Sequence, residues 1–208
     1  MCKHTCRSDS ARGVLVGWGR LVVGTTRDGS TVAGSSWRAR YHDLSTRLYG
    51  PSPSVAWLSW VYDQRIAIGA VPTAESLNRL RNEGVTHIVN CRATIQVLFS
   101  GDLAMERAIF GVANVKHAPM WDSGRMQDIR RWAAAAIFAA NVIEQCKTSR
   151  VFIHCQQGRH RAVLVGYAAL RVLGHSSEEA VHLILRSRAE AELLQAYKDS
   201  VDDWLLTR

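Results

Sequence analysis

One stretch limits what this chain can build: Val151 to Ala162, V-F-I-H-C-Q-Q-G-R-H-R-A. A short apolar run ends at His154, and Cys155 opens a polar loop with Gly158 at its centre. The loop closes on Arg161, and the apolar run Ala162 to Leu173 has helical composition. A buried strand, a tight turn and a helix N-terminus in that order make an anion site. Loop N–H groups point inward, and the helix dipole favours negative charge. The cysteine at its mouth is the natural nucleophile, and the arginine is the natural phosphate clamp.

The flanking pattern says what carries that loop. Ala56–Tyr62 and Arg65–Ile68 read as two strands around an Asp63-Gln64 turn. Thr73 is a candidate N-cap for a short helix with Leu77 and Leu80 inward, stopped by Gly84. Val85–Val89 is a central strand, Leu103–Phe110 a helix, and Val115–Ala118 another strand ended by Pro119. Met126–Cys146 is helical, with Ile129, Trp132, Ala133, Ala136, Ile137, Ala140 and Ile143 on one face. After the signature helix, Gly174 is a stop, Ser176 or Ser177 with Glu179 caps Ala180–Arg186, and a last helix runs over Ala189–Leu206. Strands alternating with helices predict an α/β three-layer sandwich, a central and mostly parallel sheet flanked by helices.

Charge divides the chain. Of the net +8, residues 1–56 hold eight Lys/Arg against three Asp/Glu, a net of +5. That segment is rich in Gly, Ser, Thr and Arg, and G-P-S-P-S at 50–54 punctuates its end. Residues 1–54 therefore read as a basic, disordered or loosely attached extension, and 55–208 as the folded domain. The extension suits contact with an anionic surface, but a solvated basic tail is the commoner meaning of such charge. Obligate nucleic-acid binding is disfavoured, because only Trp18, Trp37 and Tyr41 interleave the basic residues. Cys2, His4 and Cys6 lack a fourth metal ligand. No apolar run approaches a membrane span, and Val14–Val23 is broken by Gly17, Trp18, Gly19 and Arg20. Five cysteines without regular spacing point to a reducing compartment, hence the cytoplasm.

A dianionic phosphate ester resists ordinary nucleophiles, so its oxygens must be gathered by fixed donors while an ionised nucleophile comes in line. A cysteine at a helix N-terminus beside an arginine is favoured as the thiolate. Backbone N–H groups of Gln156, Gln157, Gly158, Arg159, His160 and Arg161 can cradle three oxygens, and the Arg161 side chain can bind two at once. His154 fits an orienting role through hydrogen bonds. The leaving oxygen needs a proton, and Asp122 on a glycine-flanked loop after a strand is the best-placed carboxyl. Asp102 and Asp128 rank below it, the latter being expected inside a helix. Arg159, His160 and Arg125 are expected to add positive charge to the rim, suited to acidic or multiply phosphorylated substrates or simply to solvation. Cys91 follows a central strand and reads either as a resolving thiol or as a passive core cysteine. Trp121 reads as a shield or an anchor.

H-C-Q-Q-G-R-H-R resembles the H-C-x5-R loop of the cysteine-dependent protein tyrosine phosphatases, and the context is similar to their dual-specificity branch. The likeness covers roughly residues 57–208, from R-I-A-I-G-A-V-P through G-V-T-H-I-V-N to the last helices. It implies Cys155 as nucleophile, Arg161 as phosphate binder, Asp122 as acid then base, a phosphorylated protein as substrate, and no metal or cofactor. Phosphoinositide, other phospholipid or RNA 5′-phosphate hydrolysis on the same scaffold is the alternative. A phosphate-binding pseudophosphatase would usually lack the Cys, Arg or Asp, and a rhodanese-like sulfurtransferase fits poorly with His154 and the Asp122 loop. Two residues depart from the family. Ala162 stands where a Ser or Thr hydroxyl usually stabilises the departing thiolate, so slowed phosphocysteine hydrolysis is expected. Gln157 stands where a small residue is common.

Overall fold

A computed structural model of the chain describes residues 57–207. The basic extension, its boundary near residue 54 and the Cys2/His4/Cys6 cluster lie outside the described residues. Strands β1 (Leu58–Tyr62) and β2 (Ile66–Gly69) pair antiparallel. Asp63 and Gln64 between them take φ of 41° and 50°, the left-handed pair that matches a tight hairpin to strand twist. Helix α1 (Ala74–Asn82) starts where Thr73 Oγ1 accepts the N–H of Ser76. Then come β3 (His87–Asn90), α2 (Thr94–Ser100), α3 (Asp102–Phe110) and β4 (Val115–His117). Helix α4 (Ile129–Gln145), β5 (Val151–His154), α5 (Arg161–Val172), α6 (Ser177–Ser187) and α7 (Gln195–Leu206) complete the described chain.

The sheet order is β1-β2-β5-β3-β4, with every pair parallel except β1–β2. Alternate side chains face opposite layers. Val151, Ile153, Ile68 and Val89 join one core with α4, α5, α6 and α7, where Trp132 and Trp204 meet edge-to-face at 5.1 Å. Phe152, Ala67 and Ile88 join the other, beneath α1 and α3. The expected three-layer arrangement is therefore present. The capping box at Ser176 and Glu179 is present as well, opening α6 at Ser177 rather than at Ala180.

Four expectations need correction. The chain between β3 and β4 holds two helices, because Gly101 at φ 72° ends α2 and opens α3. Helix α4 begins at Ile129 rather than near Met126: Asp128 stands at its N-cap, where Oδ1 accepts the N–H of Arg130, and so is not inside the helix. The third strand begins at His87, since the Val85 N–H is taken by Leu80 O in the turn that ends α1. The last helix begins at Gln195, not Ala189. Residues 189–194 instead run beside the signature loop, and the Glu192 N–H donates to Arg159 O at 2.9 Å.

Candidate active site

Parallel register lines up the strand ends. Gly69 and Asn90 both stand opposite His154, and His117 stands opposite Asn90. The loops that follow β2, β3, β4 and β5 therefore leave one edge of the sheet, the carboxyl edge where open α/β folds gather ligands. Cys155 is the first residue beyond β5 and only 1% exposed. Its sulfur accepts the Gly158 N–H at 3.2 Å. The Cys155 N–H reaches Gly69 O at 3.4 Å, and the Cys91 N–H donates to His154 O at 2.8 Å. The loop thus hangs between its two neighbouring strand ends.

Below the loop, buried side chains fix its shape. Arg188, 1% exposed, donates through Nε to Gly158 O at 2.9 Å and through Nη2 to Gln157 O at 3.1 Å. Burial pushes its guanidinium below the usual arginine range, while the charges of Glu190 and Cys155 oppose that shift. His154 is wholly buried, with Nε2 2.8 Å from Glu106 Oε1. Glu106 in turn accepts from Asn90 Nδ2 at 3.0 Å, and Asn90 also donates to Asp102, which is paired with Arg92 at 2.7 Å. This buried network fixes the His154 side chain at the end of β5. It also removes Asp102 from the candidate acids.

Arg161, the first residue of α5, is 3% exposed. Its Nη1 donates to Gln96 Oε1 at 3.0 Å and to Met120 O at 3.1 Å. Its Nε makes no hydrogen bond among the described residues and lies 3.5 Å from Asp122 Oδ2. Asp122 is on the segment between β4 and α4, and its Oδ1 is 3.0 Å from His160 Nδ1. The other ring nitrogen, Nε2, is 2.9 Å from Glu192 Oε2, and Arg159 forms an ion pair with the same carboxylate. Cys155, Arg161 and Asp122 are thereby gathered about one loop. Arg159 and His160 stand at the rim, where the Glu192 and Asp122 carboxylates face them. Gln157 has an exposed side chain, and Gln156 is half-buried with its carbonyl taken by the Val71 N–H at 3.3 Å. Cys91 is completely buried. Burial first, and then the charge of Cys155, push its thiol well above the usual range, the state of a passive core cysteine. Trp121 is 57% exposed and lines a cavity of about 290 Å³ with Ile95, Leu98, Pro119 and Arg131.

Four residues here carried no motif signal: Arg188, Glu106, Gln96 and Glu192. Glu192 lies in a stretch read as helix, and Arg188 between two stretches read as helix. Gln96 is on a helix that hydrophobic spacing did not reveal. Glu106 lies in the predicted Leu103–Phe110 helix, and nothing in its pattern singled it out.

No family model and no curated protein matches the chain. Solved structures do. PTPMT1 in complex with PI(5)P aligns over 73% of this chain and 96% of its own, with a TM-score of 0.63 and 17% identity. Tk-PTP in its active form aligns over 73% and 97%, with a TM-score of 0.59 and 21% identity. Human DUSP28 aligns over 76% and 99%, with a TM-score of 0.58 and 17% identity. With a five-stranded, mostly parallel sheet between helices and a cysteine loop at its carboxyl edge, the chain has the fold of the dual-specificity-like cysteine phosphatases.

Proposed function

We propose that the chain is a phosphomonoesterase that acts on phosphotyrosine, and on phosphoserine or phosphothreonine, in proteins through a phosphocysteine intermediate. The observation that carries this reading is the convergence of Asp122 and Arg161, 3.5 Å apart, over a loop whose buried Cys155 sulfur accepts a backbone N–H. In the first step Cys155 Sγ attacks phosphorus in line. Arg161 turns its guanidinium to two phosphoryl oxygens, the loop N–H groups from Gln156 to Arg161 take the remaining charge, and Asp122 protonates the leaving oxygen. Asp122 then takes a proton from water as it attacks the phosphocysteine. Thiolate chemistry of this kind belongs to a reducing compartment, and we assign the cytoplasm on that ground. Residues 1–54 are proposed as a basic extension that contacts anionic surfaces.

A phosphoinositide phosphatase is the second reading. It is favoured by the exposed Ile95, Leu98 and Trp121 beside Arg131, an apolar and cationic rim suited to a lipid phosphate, and by the PI(5)P bound in one structural neighbour. The test is a panel of phosphotyrosine and phosphothreonine peptides, phosphoinositides and 5′-phosphorylated RNA, with Cys155→Ser as the blank. Turnover of phosphopeptides that vanishes in Cys155→Ser is the expected result. Turnover that survives in Cys155→Ser overturns the mechanism, and lipid turnover alone selects the second reading.

A further inference from the structure

Asp122, His160 and Glu192 stand in a line. His160 Nδ1 is 3.0 Å from Asp122 Oδ1, and Nε2 is 2.9 Å from Glu192 Oε2. An imidazole with a carboxylate at each nitrogen poses a proton-counting problem. The neutral ring has one N–H and one lone pair, so one of the two contacts would set a lone pair against carboxylate oxygen. Both contacts close only when one further proton lies between a ring nitrogen and its carboxyl. Arg159 forms an ion pair with the Glu192 carboxylate, which marks Glu192 as the ionised end; hydrogen bonds from His160 and then from Arg159 hold that carboxyl below the usual range. That arrangement favours Nε2–H toward Glu192 and the additional proton between Nδ1 and Asp122.

We propose that Asp122 and His160 share one proton and work as a coupled acid, with His160 the positioning residue that keeps Asp122 loaded and directed at the signature loop. This inference rests on the phosphatase reading above and adds to it a group that the H-C-x5-R pattern leaves unspecified. In the first step the Cys155 Sγ–P bond forms, the P–O bond to the alcohol breaks, and the shared proton leaves on the alcohol oxygen. The pair is then empty, with the Asp122 carboxylate facing the His160 lone pair, an arrangement that draws a proton. In the second step a water oxygen bonds to phosphorus and the S–P bond breaks. The thiolate returns, the water proton refills the pair, and inorganic phosphate leaves.

Other charges face the pair. Arg161 Nε, 3.5 Å from Asp122 Oδ2, favours the ionised carboxylate, and the Glu192 carboxylate on the far side of the ring favours the held proton. Arg159 balances Glu192, and Arg188 lies behind the loop. On α7, Tyr197 stays a neutral phenol, pushed up by burial and then by the Asp122 charge. Arg125 is exposed on the Asp122 segment itself.

The experiment uses the full chain and two aryl esters. Phenyl phosphate needs its leaving oxygen protonated; para-nitrophenyl phosphate needs far less help. In His160→Asn the basic limb of kcat/KM for phenyl phosphate should move down, since the carboxyl loses the group that returns its proton. Activity above neutral pH should fall about tenfold for phenyl phosphate and little for para-nitrophenyl phosphate. Glu192→Gln, on a different segment, should move the limb in the same direction by less. Asp122→Asn with His160→Asn should be no slower than Asp122→Asn alone. A second measurement needs no turnover: in nitrogen-15 NMR of the His160 ring, Asp122→Asn should shift the Nδ1 signal toward that of an unprotonated ring nitrogen, and an unmoved signal would deny the shared proton. An active wild type whose limb stays fixed in His160→Asn, with both esters slowed equally, overturns this inference alone. A wild type inactive on every ester overturns the phosphatase reading, and the inference with it.

Discussion

Gly158 and Gly69 touch backbone to backbone: a Cβ placed on Gly158 would lie 2.4 Å from the Gly69 carbonyl carbon and 2.5 Å from its oxygen. Gly158 also holds φ at 71°, a region that side-chain-bearing residues rarely adopt. The contact lets the signature loop fold down onto β2 and turn its N–H toward Cys155. Gly158→Ala should therefore cost stability by more than about 1 kcal/mol from backbone strain alone, and should reduce phosphatase turnover at least a hundredfold. Circular dichroism melts and kcat on a phosphotyrosine peptide check both. A variant with wild-type kcat would mean that the loop does not need this approach.

Arg188 is the floor of the same loop. Its planar guanidinium reaches two carbonyls through Nε and Nη2, a fork that lysine cannot reproduce. Removing it leaves the Gly158 and Gln157 carbonyls without these bonds, each costing about 1–3 kcal/mol where buried. Arg188→Ala is expected to lower the melting temperature and cut kcat about tenfold to a hundredfold. Arg188→Lys is expected to restore part of the stability and little of the rate. Orthovanadate affinity reports the loop directly and should weaken in both variants. Unchanged vanadate binding would remove Arg188 from the site.

These two residues show where sequence reading reaches and where it stops. Gly158 is legible because it sits inside a contiguous strand-loop-helix, whose local chemistry demands a residue tolerant of positive φ. Arg188 is illegible because only tertiary packing brings it beneath the loop, and nothing local separates it from an ordinary basic residue at a helix end. Helix α2 was missed for another reason. Its Ile95, Leu98 and Phe99 are 42%, 73% and 40% exposed, so its apolar residues do not form one inward stripe. Gln96, which holds Arg161, was lost with it. The Asp122 segment was legible as a loop from Pro119 and Gly124. Its seat against His160 and Glu192 was not, since it depends on residues 189–194 leaving the helical pattern.

The buried Arg92–Asp102 pair sets a pH response. Burial by itself would raise the Asp102 carboxyl, but the Arg92 charge and the Ser100 hydrogen bond outweigh it and hold the carboxyl below the usual range. A carboxyl lowered on folding contributes stability that is fully present above its unfolded value, about pH 4, and is lost as pH falls through the folded value. Wild-type protein should thus lose stability below about pH 4. Asp102→Asn should be less stable at neutral pH, by up to about 3–5 kcal/mol for a broken buried pair, and flatter across the acid window. Urea midpoints at neutral and acid pH separate the two curves, and parallel curves would deny Asp102 its part.

Ala162 bears on the second step of the proposed mechanism. It is wholly buried at the second position of α5, directly after Arg161, so no side-chain hydroxyl there can stabilise the departing Cys155 thiolate. Phosphocysteine should then form faster than it breaks down. A hydrogen bond to a charged group contributes about 1.5–3 kcal/mol, so a correctly turned hydroxyl should speed breakdown about tenfold or more. Ala162→Ser is the variant, at the expense of some core stability from a buried oxygen. Rapid-quench kinetics with a labelled phosphopeptide should show a burst of phosphocysteine in wild type and a smaller one in Ala162→Ser, with the first-step rate little changed. Breakdown rates that agree in the two proteins would mean that the loop N–H groups and Arg161 supply all the stabilisation the thiolate receives.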